Sequence, residues 1–171
     1  MPEILASGKY LRLVRDARGW EWAERTNASG VVVIVAVTPA DEVLFVEQFR
    51  PPIGARVIEM PAGLAGDVSG QETEALATAA ARELEEETGW RPGRVEWLTS
   101  GPVSAGMTTE VLTFFRAFDL VRVSAGGGDA SEDITVHAIP RREVRAWLRA
   151  RHAGGVMADP KVYAGLQFLE P

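Results

Sequence analysis

Apolar positions along the chain follow two patterns. Short blocks of β-branched residues recur through most of its length, and one long segment switches to a helical period. Val31 to Val37 is the longest unbroken apolar run, seven residues, and reads as a strand buried on both faces. Further strands are predicted at Val43–Glu47, Arg56–Glu59, Arg94–Thr99, Glu110–Phe118 and Ile134–Ile139, divided by breaks such as Pro39-Ala40-Asp41-Glu42 and Arg50-Pro51-Pro52-Ile53-Gly54. Residues 9–26 read as two strands joined at Asp16-Ala17-Arg18-Gly19, a hairpin turn. Trp20 and Trp22 alternate within the second of them and so share a face.

Glu72–Thr88 is the helical segment. It is built from Ala, Glu and Leu, the strongest helix formers. Leu76, Ala80 and Leu84, with Ala77 and Ala81, form an apolar stripe, and the glutamates stand beside it. Gly89 occupies the place of a C-cap glycine. A second helix is predicted at about 141–150, and a third opens at Asp159-Pro160 with Asp as N-cap and Pro in the first turn. Ala125-Gly126-Gly127-Gly128-Asp129 reads as a flexible loop. Strands interspersed with three helices predict an α/β (α+β) fold with helices packed on a mixed β-sheet. No repeat or linker divides the chain, so residues 1–171 are expected to form one domain.

Composition narrows the function. The 171 residues are 46% hydrophobic and 25% charged, with a net charge of −6. An acidic balance disfavours nucleic acid as a partner. There is no cysteine, hence no disulfide, thiolate site or thiol nucleophile. The start lacks the basic and apolar regions of a signal peptide, and the longest apolar run is too short for a bilayer. A soluble cytoplasmic protein with no membrane partner is expected.

The chemistry concentrates in Arg82-Glu83-Leu84-Glu85-Glu86-Glu87-Thr88-Gly89-Trp90. Residues three and four apart share a helical face, so Glu83, Glu86 and Glu87 are expected to converge. Clustered carboxylates repel unless a cation joins them. An all-oxygen set suits Mg²⁺ or Mn²⁺, and carboxylate-bound Mg²⁺ usually serves phosphate chemistry. His137 and His152 show no partner in the sequence and read as structural; no nucleophile elbow, dinucleotide fingerprint or Walker pattern is present.

This run, with seven residues between Glu74 and Arg82, resembles the box of the Nudix hydrolases: Gly, five residues, Glu, seven residues, then Arg-Glu-U-x-Glu-Glu-x-Gly-U, U being bulky and apolar. Ten residues lie between Gly63 and Glu74 instead of five, and Val68 stands where the box has glycine. The difference reads as an insertion within Leu64–Gln71. Val46-Glu47-Gln48-Phe49-Arg50-Pro51-Pro52, Ile58-Glu59-Met60-Pro61-Ala62-Gly63 and Ser131-Glu132-Asp133-Ile134-Thr135-Val136 resemble the ADP-ribose and nucleoside-diphosphate-sugar pyrophosphatase branch.

The resemblance implies a Nudix fold, a mixed sheet between helices with an N-terminal β-hairpin extension. It implies a homodimer to whose interface residues 1–29 contribute. It implies metal-dependent hydrolysis of ADP-ribose or a related nucleoside diphosphate sugar to a mononucleotide and a sugar phosphate. Glu83, Glu86, Glu87, Glu132 and the Ala62 carbonyl would hold Mg²⁺ (or Mn²⁺). Catalytic roles fall to Glu86, Glu132 and the organising Arg82. For the general base, Glu132, Glu86 and Asp129 stand as candidates in that order. Substrate binding would fall to Arg50, Ser104 and Glu110, with Trp20, Glu21, Trp22 and Arg25 forming a wall for the base. The branch carries Ser-Pro-Gly where this chain has Ser104-Ala105-Gly106, so GDP-mannose and dinucleotides (NADH, FAD, dinucleoside polyphosphates) remain alternative substrates. A non-catalytic ADP-ribose-sensing module is the alternative of another class.

Overall fold

The computed structural model describes residues 1–67, 70, 73–128 and 133–169. Three antiparallel strands open the chain, β1 (Glu3–Ser7), β2 (Leu11–Arg15) and β3 (Glu21–Arg25). The hairpin turn forms where predicted, with the Gly19 N–H donating to the Asp16 carbonyl at 3.0 Å. The extension is nevertheless a three-stranded sheet and not a hairpin. β1 has only the short apolar block Ile4-Leu5-Ala6, none of it fully buried, and is held by main-chain pairing and an Arg15–Glu3 ion pair of 3.0 Å. Trp20 precedes β3, so it does not alternate with Trp22 within one strand.

There follow β4 (Gly30–Ala36), β5 (Glu42–Arg50), β6 (Ala55–Glu59), β7 (Ala62–Ala65), α1 (Leu76–Thr88), β8 (Trp90–Arg91), β9 (Arg94–Pro102), β10 (Val111–Phe118), β11 (Val121–Arg122), β12 (Ile134–Pro140), α2 (Val144–Ala153), β13 (Met157–Ala158) and α3 (Pro160–Gln167). The mixed strands divide into two four-stranded sheets, ordered β7-β4-β10-β9 and β12-β5-β6-β13. β4 runs parallel to β10, with Val33 opposite Phe114, and antiparallel to β7, with Val33 opposite Ala62.

β4 explains its own sequence. Val32, Ile34 and Ala36 pack with Ala79, Ala80 and Leu84 of α1. Val33 and Val35 point the other way, into a core with Val144 and Leu148 of α2 and Val162 of α3. A strand covered by helices on both sides has no face to leave polar. The expected arrangement of helices flanking a sheet is thus present.

Helix α1 begins at Leu76, not at Glu72, and Glu72 itself lies outside the described residues. Ala75 is extended and supplies no side-chain cap, while Glu74 is drawn out of the helix by Arg82. The buried face is Ala79, Ala80, Leu84, Glu87 and Thr88, and Ala77 is exposed. Glu87 therefore stands within the buried face and not beside it. Gly89 caps the helix with a left-handed φ of 76°. The Ala125–Gly128 segment is not free: Gly127 and Gly128 donate backbone N–H groups to the last turn of α1. α2 starts at Val144, after a 3₁₀ turn over Arg141–Glu143. α3 opens as predicted, with the Asp159 side chain accepting from the Lys161 N–H at 2.7 Å.

One buried ion network joins these layers. Glu47 on β5 is 6% exposed. Its carboxylate meets His137 of β12 at 2.9 Å, Arg151 of α2 at 2.5 Å and Arg56 of β6 at 3.3 Å. His137, unpartnered in the sequence reading, is thus paired, and its ring centre lies 5.1 Å from that of Trp147. Burial opposes the charge on Glu47, but the His137 hydrogen bond and the nearby cations outweigh it and hold the carboxyl below the ordinary range. A depressed carboxyl stabilises the fold above its ordinary pKa, and that contribution disappears as pH falls through the depressed value. Glu47→Gln leaves three basic groups facing a neutral amide and is expected to cost about 3 kcal/mol at pH 7. It should also flatten the acid limb of stability, read from urea unfolding between pH 7 and pH 3. An unchanged midpoint and limb would contradict this role.

Candidate active site

A cleft of about 880 Å³ opens where α1, β5, β6, β7 and the start of α3 meet. That volume suits a nucleotide-sized ligand. Glu83 and Glu87, one helical turn apart on α1, both line it. Glu87 is 2% exposed, and its carboxylate accepts the Ala62 N–H at 3.0 Å. Gly63, the next residue on β7, makes room for Glu83. A Cβ there would fall 1.9 Å from the Glu83 carboxyl carbon and 2.3 Å from each of its oxygens. Two residues of one short strand thus seat two carboxylates of one helix.

Arg82 organises the approach. Its guanidinium donates to both oxygens of Glu74 at 3.2 and 3.1 Å, to Glu83 at 2.9 Å, to Glu86 at 3.1 Å and to the Leu64 carbonyl at 2.9 Å. These carboxylates, the Glu74 hydrogen bond foremost, hold its charge firmly on, against the effect of burial. Of the three glutamates expected to converge, Glu83 and Glu86 meet at one Arg82 nitrogen, at 2.9 and 3.1 Å, while Glu87 turns to the Ala62 N–H. Among the described residues no three acidic or histidine side chains gather as a metal cluster. Glu86 is half exposed and does not line the cleft, but it shares its Arg82 nitrogen with Glu83. Glu83 and Glu87 remain as the pair inside.

Burial pushes the Glu83 carboxyl up to about 7, opposed by the charge and hydrogen bond of Arg82 and reinforced by Glu86 and Asp67. Glu83 and Glu87, both lining the cleft, offer only carboxylate oxygens. Such a donor set fits a hard divalent cation and offers nothing to a soft one.

Three cations also line the cleft, each tethered by an acid. Arg50 is held by both oxygens of Glu59 at 2.8 and 2.5 Å, and Glu59 is itself buried. The Glu59 hydrogen bond raises the Arg50 pKa against the effect of burial, with Glu87 and Asp159 adding to it. Arg25 of β3 pairs with Glu110 at 3.0 Å. Lys161 pairs with Asp159 at 2.5 Å. All six residues line the cleft.

The other predicted binding residues sit apart from the lining. Trp20 is 59% exposed and donates from its indole to the Gly106 carbonyl at 3.2 Å. The Trp22 indole is taken by Glu24 at 2.7 Å, and Glu21 lies on the exposed side near Arg15. The Ser104 carbonyl closes a turn by accepting from Met107 and Thr108. β3 abuts that turn through the Ala23–Thr108 bridge, which is how Arg25 reaches the cleft while the tryptophans do not. Glu132 and Asp129 lie outside the described residues. Sequence reasoning missed Glu59 and Lys161. A glutamate within the apolar Val57-Ile58-Glu59-Met60 run was the available signal for the first; Lys161 had none beyond its neighbour, the N-cap Asp159.

A NUDIX domain model matches residues 28–159. An ADP-ribose pyrophosphatase of Bacillus subtilis (strain 168) is 36% identical over 82% of this chain and 72% of its own. A GDP-mannose pyrophosphatase of Enterobacter sp. (strain 638) is 31% identical over 84% of this chain and 74% of its own. The solved structure of an ADP compounds hydrolase superposes with a TM-score of 0.62, covering 88% of this chain and 93% of that one at 17% identity. This last similarity speaks for the fold.

The elevated Glu83 carboxyl gives a signed expectation. A carboxyl raised in the fold from 4.5 to about 7 favours the native state while it is protonated. That advantage, about 2–3 kcal/mol, is lost as pH rises through the folded value. In EDTA, Glu83→Gln should therefore melt above the unsubstituted protein at pH 8 and close to it at pH 5. Differential scanning fluorimetry at the two pH values decides this, and a variant that melts lower at pH 8 contradicts it.

Proposed function

The chain belongs to the Nudix family, and from that premise we propose that it hydrolyses the pyrophosphate bond of ADP-ribose or a related nucleoside diphosphate sugar, using Mg²⁺. The carrying observation is that Glu83 and Glu87 of the Nudix helix open into the same cleft as Arg50, Arg25 and Lys161. Carboxylates for a metal thus face cations for a diphosphate across one cavity.

In this reading Glu83, Glu87 and the Ala62 carbonyl hold the metal, with Glu132 as a further ligand from the chain before β12. Mg²⁺ bound there supplies charge neutralisation at the phosphate oxygens and a lowered pKa for water. The remaining work is positioning. Arg50 grips a phosphate through its planar fork, and buried Glu59 fixes the direction of that fork. Arg25 and Glu110 hold the ribose side, and Lys161 adds charge at the opposite wall. Arg82 holds Glu83 in place by donating to it and to Glu74. Glu132 leads as general base, with Glu86 second and Asp129 third. The products are a mononucleotide and a sugar phosphate.

A homodimer in the cytoplasm completes the proposal. Ile4, Tyr10, Leu11, Leu13 and Trp20 expose apolar surface on and around the N-terminal sheet, which a partner subunit would cover. GDP-mannose is the second substrate reading, favoured by the Enterobacter relative and by Ala105 in place of the branch's proline.

Phosphatase-coupled phosphate release with Mg²⁺ tests the proposal across ADP-ribose, GDP-mannose, NADH, FAD and diadenosine polyphosphates. ADP-ribose or GDP-mannose should be hydrolysed fastest. Glu87→Gln should lower kcat by more than ~100-fold. Tight ADP-ribose binding with no turnover of any substrate would replace the enzyme with a sensor.

A further inference from the structure

Helix α1 ends in an unusual way for a helix that carries a reaction. The last carbonyls of any helix lack partners within it, and the last turn of α1 has no basic side chain to cap them. A glycine-rich loop does so with its backbone. The Gly127 N–H donates to the Glu87 carbonyl at 2.8 Å, and the Gly128 N–H donates to the Glu86 carbonyl at 3.1 Å. Val123 and Ser124 donate to the Gly89 carbonyl at 2.8 and 3.2 Å.

The two backbones interlock through glycines. A Cβ on Gly126 would lie 2.4 Å from the Thr88 carbonyl carbon, 2.6 Å from the Gly89 nitrogen and 2.7 Å from the Glu87 oxygen. A Cβ on Gly89 would meet the Ser124 oxygen at 2.3 Å and the Gly126 nitrogen at 2.8 Å. Every one of these atoms is main chain, so none can swing aside. Both glycines are also left-handed, with φ of 73° and 76°.

We infer that Gly126 is a positioning residue: the Ser124–Gly128 loop is a backbone clamp that fixes the last turn of α1, and with it the direction in which Glu87 presents its carboxylate to the cleft. The last turn is gripped from two sides. Glu87's side chain is held by the Ala62 N–H, and its carbonyl is held by the loop. Releasing the loop frees the turn to fray, and a misplacement of about 1 Å is enough to cost ~100-fold in a positioned reaction.

The inference rests on the proposed metal-dependent hydrolysis, and its test separates the two. Gly126→Ala is compared with Gly155→Ala, a left-handed glycine (φ 85°) with nothing within 4 Å of its would-be Cβ, which controls for backbone strain alone. Gly126→Ala is expected to lower kcat at least ~10-fold with KM within about twofold. It should also raise the Mg²⁺ concentration for half-maximal rate and speed hydrogen exchange at the Gly127 and Gly128 amides. Gly155→Ala should change none of these. If Gly126→Ala fails to fold, the unsubstituted protein still decides, since binding effects are reciprocal: saturating Mg²⁺, with binding verified by calorimetry, should slow exchange at those two amides. Fast exchange in Gly126→Ala with unchanged kcat and Mg²⁺ dependence would overturn the clamp, as would amides indifferent to bound Mg²⁺. An unsubstituted protein that binds Mg²⁺ but turns over no substrate sinks the reaction, and the exchange data then judge the clamp alone.

Discussion

The guanidinium of Arg82 is the interaction on which the site depends. It stands among Glu74, Glu83, Glu86 and Asp67 and also takes the Leu64 carbonyl. Four acids around one base would be costly to bring together without it. Through Leu64 and Glu74 it ties α1 to β7 and to the chain entering the helix. Through Glu83 it sets one of the two carboxylates that face the cleft. Glu87 is held from elsewhere as well, by the Ala62 N–H on its carboxylate and by the Gly127 N–H on its carbonyl.

The fold supplies what Arg82 does not. β4 is covered on both faces, so the layers on either side of it cannot slide independently. α1 rests on one face, and α2 and α3 rest on the other. The cleft lies where elements from both layers end, which is why α1 and α3 contribute to one cavity. Each of these three cations lining the cleft is oriented by an acid: Arg50 by Glu59, Arg25 by Glu110, Lys161 by Asp159. An oriented guanidinium loses less freedom on binding a phosphate than a free one.

Much of this was legible in the sequence. The apolar run at β4, the Ala/Glu/Leu pattern of α1, its Gly89 cap and the Asp159-Pro160 start of α3 each carry a local physical signal. The spacing of Glu83 and Glu87 placed them on one face. What the sequence hid depended on partners distant along the chain. β1 is an edge strand held by backbone pairing. The start of α1 is set by Glu74 turning to Arg82. Arg82 joins Glu86 to Glu83 while Glu87 turns to the Ala62 N–H, a division that helical geometry alone does not reveal. His137 read as solitary because Glu47 lies 90 residues away. The glycine triplet read as slack, yet its glycines allow backbone to meet backbone.

The central claim is that Glu83 and Glu87 hold a divalent cation against the β7 strand in the cleft. Crystals soaked in Mn²⁺ test it most directly, because anomalous scattering locates the ion without reference to the protein. The account predicts a peak bounded by the Glu83 and Glu87 carboxylates and the Ala62 carbonyl, lost in Glu83→Gln. A peak on the outer face of α1 beside Glu86, or no peak in the cleft at saturating Mn²⁺, would contradict it.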